Sequence, residues 1–143
     1  MAHEYKIQYV AHLELPPAVV TADIPASWRA TLSPRGGPSF AIDGLVGAPP
    51  AITAIRSDHP DPVARIEEAM ALQYGAGTPG VTRTALPGGR VWAVRREAAV
   101  THARMFVPAP GGVVMAVAIV VHAQADRLAE LKAVFDTVRV GTP

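Results

Sequence analysis

The stretch Arg90–Val121 limits most sharply what this chain can fold into. It reads RVWAVRRE, AAVTHARMFV, PAPGG, VVMAVAIVV, three runs rich in valine, methionine and aromatic residues, parted by a short gap and a Pro110-Gly111-Gly112 turn. Such residues suit a pleated, mostly buried surface, so the stretch reads as a three-stranded antiparallel meander. Its last run, Val113–Val121, is apolar on both alternating faces and requires cover on both sides. With turns at Glu97–Val100 and Pro108–Gly112, period-2 alternation gathers Trp92, Val94, Arg96, His102, Arg104, Phe106, Val114, Ala116, Ala118 and Val120 on one face. The other face carries Val91, Ala93, Arg95, Ala103, Met105, Val107, Val113, Met115, Val117 and Ile119. That second face is apolar except for Arg95 and is expected to pack on a helix. The first is mixed.

Before the meander the best-marked element is a helix. Asp61 suits an N-cap, and Pro62 suits the first helical position, where a missing N–H has no helical partner to lose. Val63, Ile66, Met70 and Tyr74 follow at helical spacing, and Gly75 and Gly77 end the run. A second helix is expected from Gln124 or Ala125 to Asp136, with Leu128, Leu131, Phe135 and Val138 on its buried side. Strands are expected at Tyr5–Leu15, Val19–Ile24, Ser39–Val46, Ala51–Arg56 and Val81–Leu86, with a short closing strand at Val138–Val140. Pro34–Pro38 and Pro87–Gly89 have turn chemistry, since proline fixes φ and glycine supplies positive φ. Together these elements predict a single α+β domain with its core at about residues 19–140. In it an antiparallel sheet is flanked by two main helices, with a ferredoxin-like arrangement as the alternative.

Composition narrows the function classes. A chain of 143 residues, half of them hydrophobic and 17% charged, can bury a core without staples. It has no cysteine, which excludes disulfides and thiolate metal sites. The net charge of +1, without a basic tail or a nucleic-acid-binding motif, speaks against DNA or RNA as a partner. The first ten residues, MAHEYKIQYV, lack the charged start and apolar core of a signal peptide. The nine-residue run Val113–Val121 is short of the roughly 20 residues that a spanning helix needs. A soluble, cytoplasmic protein that does not insert into membranes is therefore expected.

Catalytic chemistry finds no constellation in the sequence. His3, His12, His59, His102 and His122 are isolated, without the i, i+4 pair that sets two imidazoles on one helix face, so no metal site is expected. Asp58-His59-Pro60-Asp61 holds three candidate ligands but reads as a polar turn ahead of a capped helix. There is no Gly-x-Ser-x-Gly elbow, and the glycine pairs lack the context of a phosphate loop, so no cofactor is expected either. The candidate binding residues are Trp92, Arg96, His102, Arg104 and Phe106 on the mixed face of the meander. There an aromatic floor with guanidinium donors suits an acidic ligand or a partner's acidic segment. On that register Ala116 and Ala118 sit beside His102 and Arg104 and leave a depression, unless a helix fills it.

The run Ile24-Pro25-Ala26-Ser27-Trp28, followed by Ser33-Pro34 and Phe40-Ala41-Ile42, resembles the opening of PsbP/Mog1-like domains. The closing Phe135-Asp136-Thr137-Val138-Arg139-Val140 resembles their end. The resemblance implies an antiparallel sheet flanked by helices, usually without catalysis, in a group that includes photosystem-associated subunits, small-GTPase-binding factors, envelope lipoproteins and chaperones for secreted effectors. It brings no site residues to this chain. The expectation that follows is a non-catalytic domain that binds another protein, as an adaptor or chaperone-like partner, with a homodimer also open. The alternative is a small-molecule binder or enzyme with a pocket on the mixed face of residues 90–121.

Overall fold

In the computed structural model of the chain, residues 2–8, 19–32 and 38–141 are described, with the backbone alone for 2–8, 19 and 32. In chain order they form β1 (Ala2–Gln8), β2 (Val19–Pro25), β3 (Arg29–Leu32), β4 (Pro38–Ala41), β5 (Ala51–Arg56), α1 (Pro62–Tyr74) and β6 (Thr82–Ala85). There follow β7 (Val91–Arg96), β8 (Val100–Ala109), β9 (Gly112–Val121), α2 (Leu128–Phe135) and β10 (Arg139–Gly141). A seven-stranded antiparallel sheet has the order β3-β4-β5-β9-β8-β7-β6, and a smaller antiparallel sheet has the order β1-β2-β10. This is an α+β fold, and its strand order is not that of a ferredoxin-like sheet. No helix among the described residues is long and apolar enough to cross a membrane.

The meander supplies the centre of the large sheet, with β9 lying between β5 and β8. One face packs on α1 through Ile66, Ala69, Met70 and Tyr74, which meet Val91, Ala93, Phe106, Val113 and Met115. The opposite face buries Trp92, Ala103, Met105, Val114, Ala116, Ala118 and Val120 against β2 (Val20, Ala22, Ile24) and α2 (Leu131, Phe135). Trp28 and Phe40 extend this second core, their ring centroids 5.6 Å apart. The turn that delivers Trp28 is closed by its N–H donating to the Pro25 carbonyl at 3.0 Å.

The register of β8 differs from the expected one. Arg96 pairs with Thr101, Arg95 with His102 and Ala93 with Arg104; on the other side Met105 pairs with Ala116 and Ala103 with Ala118. Directly paired residues share a face. His102, Arg104 and Phe106 therefore lie on the α1 side with Val91, Ala93 and Arg95, while Thr101, Ala103, Met105 and Val107 lie on the side of Trp92, Val94 and Arg96. The groupings within β7 and β9 stand, and only β8 is reversed. In the first hairpin, closed by the Glu97 N–H to the Val100 carbonyl at 2.9 Å, the four-residue loop sets Thr101 rather than His102 beside Arg96. In the second, Pro108 is a strand residue and the loop is only Pro110-Gly111, with Gly111 at φ +73°. Proline is tolerated there because the Ala109–Gly112 pair closes the hairpin, so the Pro108 nitrogen points away from β9. On that side β7 has already ended, at Val91 opposite Phe106.

The first helix starts as its sequence dictates, with the Asp61 carboxylate accepting the Val63 N–H at 3.1 Å. Its buried stripe begins one turn later than expected: Val63 is 64% exposed, whereas Ile66, Ala69, Met70 and Tyr74 are buried. The chain leaves α1 at Gly75 (φ +97°), whose N–H still donates to the Ala71 carbonyl at 2.8 Å. The second helix is shorter than expected. Residues His122–Arg127 form 3₁₀ turns with a non-helical Gln124, and regular helix covers only Leu128–Phe135. The cause is the loop after β4, which Gln124 holds by accepting the Val46 N–H at 2.7 Å and donating to the Gly44 carbonyl. The extended run expected at Ser39–Val46 accordingly stops at Ala41. Residues 9–15 of the first expected strand and 34–37 of the expected turn lie outside the described residues.

Phe135, 1% exposed, ties α2 into the core shared with β2 and the meander. Phe135→Ala is expected to lower stability by about 3–5 kcal/mol, and Val63→Ala to change it by less than about 0.5 kcal/mol. Urea unfolding midpoints at constant slope check both.

Candidate functional site

The five residues expected to form a binding surface do not come together. Trp92 (7% exposed) faces the α2 side, and Arg96 lies on the same face but exposed at the end of β7. Phe106 is fully buried beneath α1. His102 and Arg104 do meet, on the α1 side, in a cluster with Arg95, Glu97 and Tyr74. Ala116 and Ala118 leave no depression, because both are buried in the core that β2 and α2 complete.

The cluster is organised around the last residue of α1. The Arg104 guanidinium lies 4.7 Å from the Tyr74 ring centroid and that of Arg95 lies 5.1 Å from it, so two cations share one aromatic face-partner. Arg95 donates to the Tyr74 carbonyl at 2.8 Å, where a cation also complements the negative end of the helix. A second Arg95 donor meets the Glu97 carboxylate, whose other oxygen is 3.2 Å from His102 Nε2. The Arg95 hydrogen bond holds the Glu97 carboxyl below the ordinary glutamate range; the charges of Arg95 and His102 add to this, and desolvation opposes it. Burial pushes the Tyr74 phenol up, partly offset by the Arg104 hydrogen bond and the two guanidinium charges. The phenol is therefore protonated at neutral pH, and it donates to the Ala93 carbonyl at 3.5 Å. Arg95, Arg104 and the Tyr74 hydroxyl fasten the end of α1 to β7 and β8, and Glu97 joins Arg95 to His102. Among the described residues Arg104, 8% exposed, meets no carboxylate, and its Nε is enclosed without an acceptor.

An open groove of about 900 Å³ lies elsewhere, between the flank of α1 and the end of β5. Ile55, Ala69, Leu72 and Ala76 give it apolar walls, and Ser57, His59, Arg65 and Glu68 its polar lining. Leu72 is 70% exposed on its rim. The Ser57 hydroxyl donates to the Glu68 carboxylate, and His59 Nδ1 accepts the Asp61 N–H at 3.1 Å. The partner on the Ser57 hydroxyl is the Glu68 carboxylate, while the His59 ring is turned to the helix start. Asp58–Asp61 is thus the polar turn ahead of a capped helix that the sequence suggests. Among the described residues no three metal-ligating side chains converge. The Ser57–Glu68 contact and the groove had no signal in the sequence, since they join a strand end to a helix flank eleven residues on.

Two outcomes follow from the cluster. Arg104→Ala is expected to cost about 2 kcal/mol through lost packing on Tyr74, whereas Arg104→Met, which keeps the volume and removes the charge, stays within about 1 kcal/mol; urea unfolding distinguishes them. The folded pKa of Glu97 lies below its unfolded value. Its stabilising contribution is therefore complete above the unfolded value and vanishes as pH falls through the folded one. Glu97→Gln should be less stable than the parent at neutral pH and equal to it in strong acid, and a gap that persists in acid overturns this assignment.

No family model matches the chain, and no curated protein matches it in sequence. Among solved structures it is similar to LpqN of Mycobacterium tuberculosis, a protein involved in cell envelope biogenesis. The TM-score is 0.52 at 17% identity, over 97% of this chain and 92% of that one. That likeness supports the α+β architecture and extends to nothing beyond the fold.

Proposed function

We propose that this protein is a non-catalytic binding domain, an adaptor or chaperone-like partner of another protein, and that the groove between α1 and β5 receives the partner's chain. The observation that carries this reading is the groove itself, apolar along its walls, open to solvent and rimmed by an exposed leucine. Exposed apolar side chains beside a concavity are what a protein-binding surface presents before its partner arrives. Ser57 is engaged with Glu68 and the His59 ring with the start of α1, which favours binding over chemistry. The PsbP/Mog1-like resemblance of Ile24–Trp28 and Phe135–Val140 agrees with it, because chaperones and binding factors occur in that group. A small-molecule ligand is the second reading. Both faces of the meander are covered, so its place would again be this groove, whose volume lies within the range of roughly 300–1,000 Å³ typical of such sites.

A photo-crosslinking amino acid at position 72, introduced in the native host, tests the proposal. One dominant crosslinked protein is expected, and none from the same group at Val46, which is also exposed but lies outside the groove. A crosslink to a second copy of the chain would make the partner itself. A bound small molecule and no protein crosslink would establish the second reading instead.

A further inference from the structure

Arg65 stands out among the groove's charged residues. Its Nη1 donates to the His59 carbonyl at 3.1 Å, its Nε is enclosed without an acceptor, and among the described residues it meets no carboxylate. Neither acid of the groove pairs with it: Asp58 lies 3.1 Å from Arg56, and Glu68 accepts from the neutral Ser57 hydroxyl. A guanidinium that is half-buried without a counter-charge is incompletely compensated, and its planar fork fits a carboxylate through two parallel N–H donors. Along the helix, the span from Arg65 past Leu72 to Ala76 is about 15 Å, the reach of four or five residues of extended chain. An open trough of that length suits a chain segment better than a small ligand, which a site normally encloses over most of its surface.

We infer that the groove binds a partner segment of four or five residues whose aliphatic side chains lie against Ile55, Ala69 and Leu72 and whose carboxylate pairs with Arg65. This rests on the groove being the binding surface. The charge balance favours a single carboxylate over a phosphate. A single carboxylate on the Arg65 fork meets less repulsion than a dianion would from Glu68 and Asp58, both of which line the same groove. The carboxylate fixes the direction of the segment, with its negative end at the start of α1.

The test uses the full chain and a fluorescein-labelled pentapeptide of alternating leucine and glutamine, prepared as the free acid and as the C-terminal amide. Fluorescence anisotropy is expected to show the acid binding at least about tenfold more tightly than the amide, a margin set by one charge-assisted pair. In Arg65→Met that ratio should collapse towards one with the amide affinity unchanged. In Leu72→Glu both peptides should weaken. Thermal unfolding of the two variants confirms that they are folded, and Arg65→Lys, which keeps the charge but loses the fork, should fall between parent and Arg65→Met. Equal binding of acid and amide to the parent, with Leu72→Glu still weakening both, overturns the role of Arg65 and leaves the groove as the binding surface. Peptide binding unaffected by Leu72→Glu, or no binding, overturns both. Dodecanoate bound at Arg65 more tightly than the acid peptide would assign the groove to free amphiphiles and overturn the peptide inference.

Discussion

A strand with apolar side chains on both faces cannot lie at a surface, and β9 is such a strand for the nine residues Val113–Val121. Each fully buried Val, Ile or Met side chain contributes roughly 1.5–3 kcal/mol relative to exposure, so leaving either face open would forfeit a large share of a domain's net stability. The chain meets the requirement from two directions. One amphipathic helix, α1, closes one face, and β2 with α2 closes the other. The remaining architecture follows from that division. β8, as the neighbour of β9, is enclosed by the same two layers and must bring whatever polar groups it carries into the interior with it.

Arg104 is the result. Its position on β8 was fixed by alternation, and burial then had to be made tolerable by Tyr74 at the end of α1, whose ring supplies an electron-rich partner. Arg95 and Glu97, near the hairpin end of β7, extend the arrangement to the helix carbonyl and to His102. A cluster that resembles a binding site in its residue types is here a fastening between a helix terminus and a sheet. Aromatic and guanidinium groups serve both purposes equally well, and only geometry separates them.

Much of the fold was legible in the sequence because its signals are local. Asp61-Pro62 marks a helix start by the chemistry of one cap, Gly75 marks its end, and the strands β2, β5 and β7 show in short apolar runs with turn residues beside them. What was not legible depended on partners distant along the chain. The reading of Pro108 as part of a turn changed the parity of the second hairpin, although proline is harmless where the neighbouring strand has stopped. Grouping Arg96 with His102 and Arg104 missed by one residue the pairing of Arg96 with Thr101, which puts them on opposite faces. Helical spacing over 124–136 also could not reveal that Gln124 is held by the loop after β4. The groove escaped for the same reason, since its polar end depends on a serine and a glutamate brought together by the strand-to-helix connection.

The pairing of β10 with β2 bears on how the chain acquires this structure. Residues 139–141 form one side of the small sheet and residues 19–21 its counterpart, so the contact spans nearly the whole described chain. A pairing of such long sequence separation carries a large loop-closure cost and is slow to form. During synthesis the meander can assemble, and α1 can settle on it, while the cover for its other face is still incomplete. For that interval Trp92, Met105 and Val114 face outward from a nascent sheet. The interval ends only when α2 and β10 have left the ribosome, which makes their docking the step that withdraws an aggregation-prone surface from the cell.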